Sequence, residues 1–355
     1  MSSQDSKTYH EQTYIDNTLR LRDILKTMPP FAKDYFRAIE PKSSAKTRIS
    51  YAYDIRVFFH FLMENNPVYK NYTMDQFTLK DLERIEPVDI EEYQEYLKVY
   101  KGAENKQITN TEKGLARKMS ALRSFYSYFY KRQVIEKNPT LLVDMPKLHD
   151  KAIIRLDTDE VAALLEYVEH GGDDLTGQRK VYFEKTRNRD LAILTLLLGT
   201  GIRVSECVGL DIQDVDFKNN GIKVTRKGGN EMVVYFGEEV ENALKMYLYT
   251  TRQSAAALPG HENALFLSTQ RKRMGVQAVE NMVKKYARQI TPNKKITPHK
   301  LRSTYGTALY KETGDIYLVA DVLGHKDVNT TKKHYAAIDE NRRRQAAGAV
   351  KLREP

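Results

Sequence analysis

The chain has one cysteine and no tryptophan in 355 residues. A lone Cys207 excludes an internal disulfide framework and any cysteine-cluster zinc site. No apolar run approaches the roughly 18 residues that a membrane-spanning helix needs. The N-terminus, MSSQDSKTYHEQ, is polar and lacks the apolar centre of a secretory signal. These absences lead to the expectation of a cytoplasmic protein. The histidines lack metal-ligand spacing and no Ser/His/Asp arrangement is present, so no cofactor is expected.

What is there is basic and rich in phenols. Lys and Arg exceed Asp and Glu by a net +10, and tyrosine occurs 23 times. Such a charge balance favours a polyanionic partner, nucleic acid first and a membrane surface second. A hydrophobic share of 41% supplies material for two cores, which suits the length.

The first 145 residues read as an all-α bundle. Helices are predicted over Tyr9–Lys26, with Ile15, Leu19 and Ile24 on its apolar face, and over Phe31–Ile39, Ala45–Glu64, Leu79–Ile85, Val88–Tyr100 and Asn110–Gln133, with Lys101–Ile108 as a loop. Tyr51, Ile55, Phe58, Phe59 and Leu62 recur at three- and four-residue steps, an amphipathic stripe. Lys46, Arg48 and Arg56 lie off it. Lys113, Arg117, Lys118 and Arg123 surround the apolar face of the last helix. These seven are candidate contacts to DNA phosphates, with two helices straddling a duplex. Solvated charged faces are the alternative. Pro139, Pro146 and mixed charge around them mark a linker, which leaves a second domain over residues 152–355.

That domain opens with an acidic helix start at Asp157–Glu160. A Gly- and Asp-rich loop over His170–Lys180 follows, and then a buried helix over Thr186–Leu198. Gly199-Thr200-Gly201 ends this helix, and Arg203 comes directly after it between Ile202 and Val204. A charge there is costly unless an anion meets it, and Glu206 stands one helical turn away. A structural Arg–Glu pair explains the same spacing. Strands over Asp214–Phe217, Gly221–Lys227 and Met232–Phe236 form a small antiparallel sheet with Lys227 at a hairpin tip. Helices over Glu238–Arg252 and Gly275–Ile290 lead to a stretch dense in polar groups, Thr297–Tyr335. It holds His299 and Arg302 one turn apart, then Leu323-Gly324-His325, then Tyr335. Tyr305, Tyr310 and Tyr317 are competing phenols, and Tyr317 is expected to lie in the core. Groups of this kind can grip a phosphate beside a phenol.

In order along the chain, Gly199-Thr200-Gly201-Ile202-Arg203-Val204-Ser205-Glu206, Arg226-Lys227-Gly228-Gly229, Thr297-Pro298-His299-Lys300-Leu301-Arg302 and Leu323-Gly324-His325 with Tyr335 resemble the tyrosine recombinases, the lambda-integrase family. Four ordered segments are far more specific than one short motif. Within the family the chain looks most similar to the Xer type, and there to XerS-like single recombinases. Ser303 departs from the pattern, since many relatives carry a second histidine at that place.

The resemblance implies a mainly α fold. It consists of an α-helical core-binding domain, residues 1–145, and an α-helical catalytic domain with a small antiparallel β-sheet, residues 152–355, ending in an exchange helix from about Ile338. It implies a site-specific recombinase that cleaves and rejoins double-stranded DNA through a covalent 3′-phosphotyrosyl link and a Holliday junction. Arg203 and Arg302 would hold the non-bridging oxygens. Tyr335 would be the nucleophile and Lys227 the proton donor to the leaving oxygen. His299 would be the base or shuttle, and His325 a further donor. The implied assembly is a homotetramer on two DNA sites, resolving chromosome dimers with an FtsK-type DNA translocase. The alternatives are a mobile-element integrase, a non-catalytic DNA-binding regulator and a type IB topoisomerase.

Overall fold

The computed structural model describes residues 8–102, 105–149, 153–226, 229–324 and 328. Lys227, His325, Tyr335 and the tail from Ile338 lie outside the described residues. Contacts divide the chain into two compact units, Met1–Lys151 and Ala152–Pro355.

The first unit is built from α1 (Tyr9–Leu25), α2 (Ala32–Ala38), α3 (Ala45–Asn65), α4 (Leu79–Arg84), α5 (Pro87–Tyr96) and α6 (Glu112–Lys131). Local chemistry sets the helix starts. Thr8 and Glu11 bond reciprocally at the head of α1, Ser44 accepts from Thr47 N–H, and Thr111 accepts from Gly114 N–H. Aromatic rings fill the centre. Phe58 and Phe59 of α3, Phe125 and Tyr126 of α6, and Tyr35 and Phe36 of α2 are all essentially inaccessible to water. Their edges meet their neighbours' faces, as between Tyr35 and Phe125 at 5.2 Å.

Two expectations for this unit need correction. The stretch read as a helix end plus loop is a hairpin, β1 (Val99–Lys101) against β2 (Gln107–Thr109), paired Tyr100 to Ile108. Val99 and Tyr100 favour a strand once α5 has stopped at Tyr96. Leu19, placed on the apolar face of α1, is 53% exposed, while Leu21 is buried.

The second unit comprises α7 (Thr158–His170), α8 (Gly177–Thr200), α9 (Val204–Gly209), strands β3 (Val215–Asp216), β4 (Gly221–Thr225) and β5 (Glu231–Tyr235), then α10 (Glu238–Met246), α11 (Val276–Ile290), α12 (Pro298–Thr313) and α13 (Ile316–Leu323). A π-helical turn, Tyr247–Arg252, prolongs α10. The strands order β3-β4-β5, all antiparallel, and β4 is buried at Ile222 and Val224. Helix α8 is the spine. Leu191 through Leu197 are buried without interruption, and α7, α10 and α12 pack around it. Such all-round burial excludes an amphipathic pattern.

Helix α8 begins at Gly177, inside the stretch expected to be a loop. The turn signal is spent by Asp174, and Phe183 supplies a buried anchor beneath Gly172, where an added Cβ would meet its ring at 2.4 Å. Tyr317, expected in the core, is 72% exposed. α13 turns Val319, Ala320 and Leu323 inward, which leaves Tyr317 on the other side. Among the described residues no helix is long and apolar enough to cross a membrane.

One polar cluster ties α3 to α6. Asp54, buried on α3, accepts from Arg117 and from the buried Lys118, the latter at 3.4 Å. Burial raises the Asp54 pKa, and Lys118 and Arg117 oppose that rise. Asp54→Ala should strand the Lys118 charge and cost about 3 kcal/mol. Hydrogen exchange should show faster opening of α3 and α6, and pairing the change with Lys118→Met should recover most of the loss.

Candidate active site

The site begins where α8 ends. Gly201 caps the helix in the left-handed region at φ +62° and donates to Leu197 O. A Cβ at Gly201 would stand 2.4 Å from the Tyr305 ring and 2.9 Å from Leu323 Cδ2, so glycine is needed for both angle and space. The chain then turns into α9 with Arg203 at its N-cap. The Glu206 carboxylate accepts from the Arg203 backbone N–H and from its Nη1, each at 2.8 Å. Glu206 is buried while the Arg203 side chain keeps 35% of its surface. The carboxylate thus fixes one edge of the guanidinium, and Arg203 Nη2 reaches Gly324 O at 3.3 Å.

Arg302 arrives from α12. Thr297 and Pro298 start that helix, with proline at a first-turn position where its missing N–H costs nothing. His299 is exposed in the first turn. Arg302, one turn on, is only 4% exposed. Its Nη1 donates to Gly201 O at 2.6 Å and its Nη2 to Leu323 O. Arg302 therefore bridges the ends of α8 and α13.

A third guanidinium meets them. Arg226, directly after β4, donates from Nη1 to Leu323 O at 2.6 Å and from Nη2 to Val322 O at 2.8 Å. Burial lowers its pKa, the nearby Glu206 carboxylate raises it and Arg203 lowers it further. Gly324, at φ +60°, ends α13 beneath it, and a Cβ there would lie 2.0 Å from Arg226 Nη1. Carbonyls 322 to 324 thus gather three arginines from three segments at the negative end of a helix.

The structure brings Arg203, Glu206, Arg302 and, on the same helix, His299 to this one region of the second unit. Lys227, His325 and Tyr335 lie outside the described residues. Arg226 stands in one of the four motifs, and the sequence gives it no role of its own. The one signal was a second basic residue beside Lys227. Of the competing phenols, Tyr305 has its pKa raised by burial and Tyr310 is buried. The buried Cys207 thiol is pushed up to about 12, which removes it as a thiolate nucleophile. Among the described residues no group of His, Cys, Asp and Glu is arranged to hold a metal ion.

The basic residues named on the first unit differ in placement. Lys46 and Lys113 are exposed. Arg48 is buried against Glu40 at 3.0 Å, and Lys118 is buried against Asp54. Arg123 donates to Thr140 O and Val143 O. Arg56 donates to Thr27 Oγ1 and lies over the Tyr53 ring, and Arg117 pairs with Asp54. Arg48 and Lys118 are thus interior, not on a solvated helix face, because buried or neighbouring carboxylates draw them in.

Comparison with known proteins adds lineage. The Phage integrase family profile matches residues 155–342, and the profile "Phage integrase, N-terminal SAM-like domain" matches residues 32–133. Tyrosine recombinase XerC of Caldanaerobacter subterraneus subsp. tengcongensis is 32% identical over 327 residues, covering 90% of this chain and 86% of that protein. Tyrosine recombinase XerS of Streptococcus equi subsp. equi is 29% identical over 352 residues, covering 91% and 96%. The XerH site-specific recombinase in its post-cleavage complex with palindromic difH substrate shares the fold at a TM-score of 0.60 and 20% identity, over 85% of this chain and 78% of that one.

Gly201→Ala tests the local geometry. The left-handed cap and the clash with Tyr305 and Leu323 should together cost about 2–3 kcal/mol. A lower thermal midpoint, with early exchange of α12 and α13 amides, is the expected result.

Proposed function

The chain belongs to the phage integrase family of tyrosine recombinases, is of the Xer type and is a site-specific recombinase, and from that premise we propose how it acts. It cuts and rejoins double-stranded DNA through a 3′-phosphotyrosyl intermediate, with Tyr335 as nucleophile. The observation that carries this reading is the pair Arg203 and Arg302, held on neighbouring carbonyls of one helix end.

A phosphodiester anion repels nucleophiles, and attack concentrates charge on its non-bridging oxygens. Guanidinium groups stay protonated at any working pH and can bind two oxygens at once, so Arg203 and Arg302 suit those atoms. Stabilisation of developing charge by fixed donors is commonly the largest catalytic term. A phenol with a pKa of about 10 attacks poorly until cations or a base assist it. In the proposed step the Tyr335 oxygen forms a bond to phosphorus and the bond to the 5′-oxygen breaks. His299 takes the phenolic proton, Lys227 supplies one to the leaving oxygen, and His325 donates to the phosphate. The phosphotyrosine bond conserves the energy of the broken link, so a partner strand's 5′-hydroxyl can reverse the step without metal or nucleotide.

Two strand exchanges through a Holliday junction, on two DNA sites held by a homotetramer, complete the reaction. The first unit is the core-binding domain, and its phosphate contacts narrow to Lys46 and Lys113, with the outer parts of Arg56 and Arg117. The cellular task is chromosome dimer resolution with an FtsK-type translocase. Integration or excision of a mobile element uses the same chemistry. Sequencing DNA recovered with the protein from cells separates the two, since sites near the replication terminus support the first and element ends support the second.

Tyr335→Phe should abolish the covalent protein–DNA adduct on a nicked substrate while leaving binding intact. An adduct that persists in this variant would move the nucleophile elsewhere. Removal of residues 339–355 should reduce recombination far more than binding, as required if the tail docks on a neighbouring protomer. Equal loss of both would count against that docking.

A further inference from the structure

Arg226 has no role in the scheme above, yet it is held from several sides beside it. Its backbone is fixed on both sides, with Arg226 N–H donating to Asn230 O at 2.7 Å and Gly229 N–H donating to Arg226 O at 3.0 Å. Its guanidinium grips two consecutive carbonyls, Val322 O and Leu323 O, in a two-pronged contact. Its Nε is buried with no hydrogen-bond partner among the described residues, a cost retained in exchange for this orientation. The backbone at Gly324 approaches so closely that no side chain fits there. Leu323 O, moreover, is the acceptor that Arg302 Nη2 uses. The next carbonyl, Gly324 O, is the acceptor for Arg203 Nη2.

We propose that Arg226 is a positioning residue for the phosphate-binding arginines: by bracing carbonyls 322 and 323 from the β4 side, it sets where Arg302 and Arg203 stand. The inference rests on the recombinase reading of those two arginines. A neutral side chain at 226 would leave the end of α13 held on one side only, and the shared acceptor would drift with it. Lysine would keep the charge but not the two-pronged grip, because an ammonium is a point donor on a flexible stem. The effect on catalysis is therefore indirect, and it concerns the non-bridging oxygens.

That location gives a test which a merely structural tie would fail. Adduct formation by the full-length protein is followed in single turnover at saturating DNA, on nicked sites carrying either a normal scissile phosphodiester or a methylphosphonate. The methylphosphonate replaces one non-bridging oxygen with an uncharged methyl group and so lessens the demand on the arginines. Arg226→Gln should slow cleavage of the phosphodiester by about 10- to 100-fold, less than loss of a direct oxyanion donor. On the methylphosphonate its deficit relative to wild type should shrink to about threefold or less. The double variant Arg226→Gln/Arg302→Gln should be no slower than Arg302→Gln alone by more than about threefold, since both changes remove one function. Arg226→Lys should fall between and carries the same comparison if the glutamine variant melts early. Equal slowing on both substrates, or additive losses in the double variant, would overturn the proposal. Rescue instead by a 5′-bridging sulfur, whose thiolate leaves without a proton, would also overturn it, because that assigns Arg226 to the leaving group. Failure of the wild-type protein to form any adduct would instead defeat the recombinase reading itself.

Discussion

The interaction on which the second unit's site depends is the meeting of three arginines at the C-terminal end of α13. Guanidinium groups repel one another, and the charge on Arg203 disfavours the charge on Arg226. What holds them together is a helix end carrying partial negative charge on its unpaired carbonyls, with the Glu206 carboxylate beside it. Each arginine comes from a different segment: the start of α9, the end of β4 and the first turns of α12. The helix end is thus a junction where the spine, the sheet, α12 and α13 meet. Its geometry needs two left-handed glycines, Gly201 to deliver a carbonyl to Arg302 and Gly324 to let Arg226 approach.

The junction is only as fixed as the elements leading to it. α8 is buried along its second half and ends at Gly201, so the Gly201 carbonyl is placed by the whole core of the unit. α12 packs on α8 and is further tied by Thr304, whose hydroxyl accepts from Leu156 N–H at 3.0 Å. α13 adds a small apolar contact with α12 through Tyr310, Val319 and Leu323. Eight residues of helix have little stability of their own, so the arginine contacts at its end help hold α13 as much as α13 holds them.

Much of this was legible in the sequence where one chemical reason sufficed. The Arg203–Glu206 pair followed from a three-residue spacing beside apolar neighbours, and the three-stranded sheet followed from alternation and turn residues. Other features required knowledge of what lies opposite. Arg48 and Lys118 read as surface charge because helical periodicity cannot reveal a partner such as Glu40 or Asp54 from another segment. Tyr317 read as core because α13 is apolar around most of its circumference, and only packing decides which face turns inward. Arg226 has no role assigned from the sequence because its acceptors lie 96 and 97 residues away in the chain.

The choice of arginine at all three positions has a physical reason. A guanidinium carries five N–H donors in a plane, so anchoring some of them leaves the others aimed in a fixed direction. Arg203 gives one donor to Glu206 and one to Gly324 O, and a third of its side-chain surface remains open. Lysine has one nitrogen on a flexible stem, so the hydrogen bonds that fix it are made by the same atom that must meet a ligand. Where a cation must be held still and yet present donors outward, the planar fork separates the two tasks. A helix end with several free carbonyls is a natural anchor for such forks, because each carbonyl accepts without contributing a competing full charge. On the proposed chemistry, the anchored edges set the geometry and the remaining edges meet the phosphate.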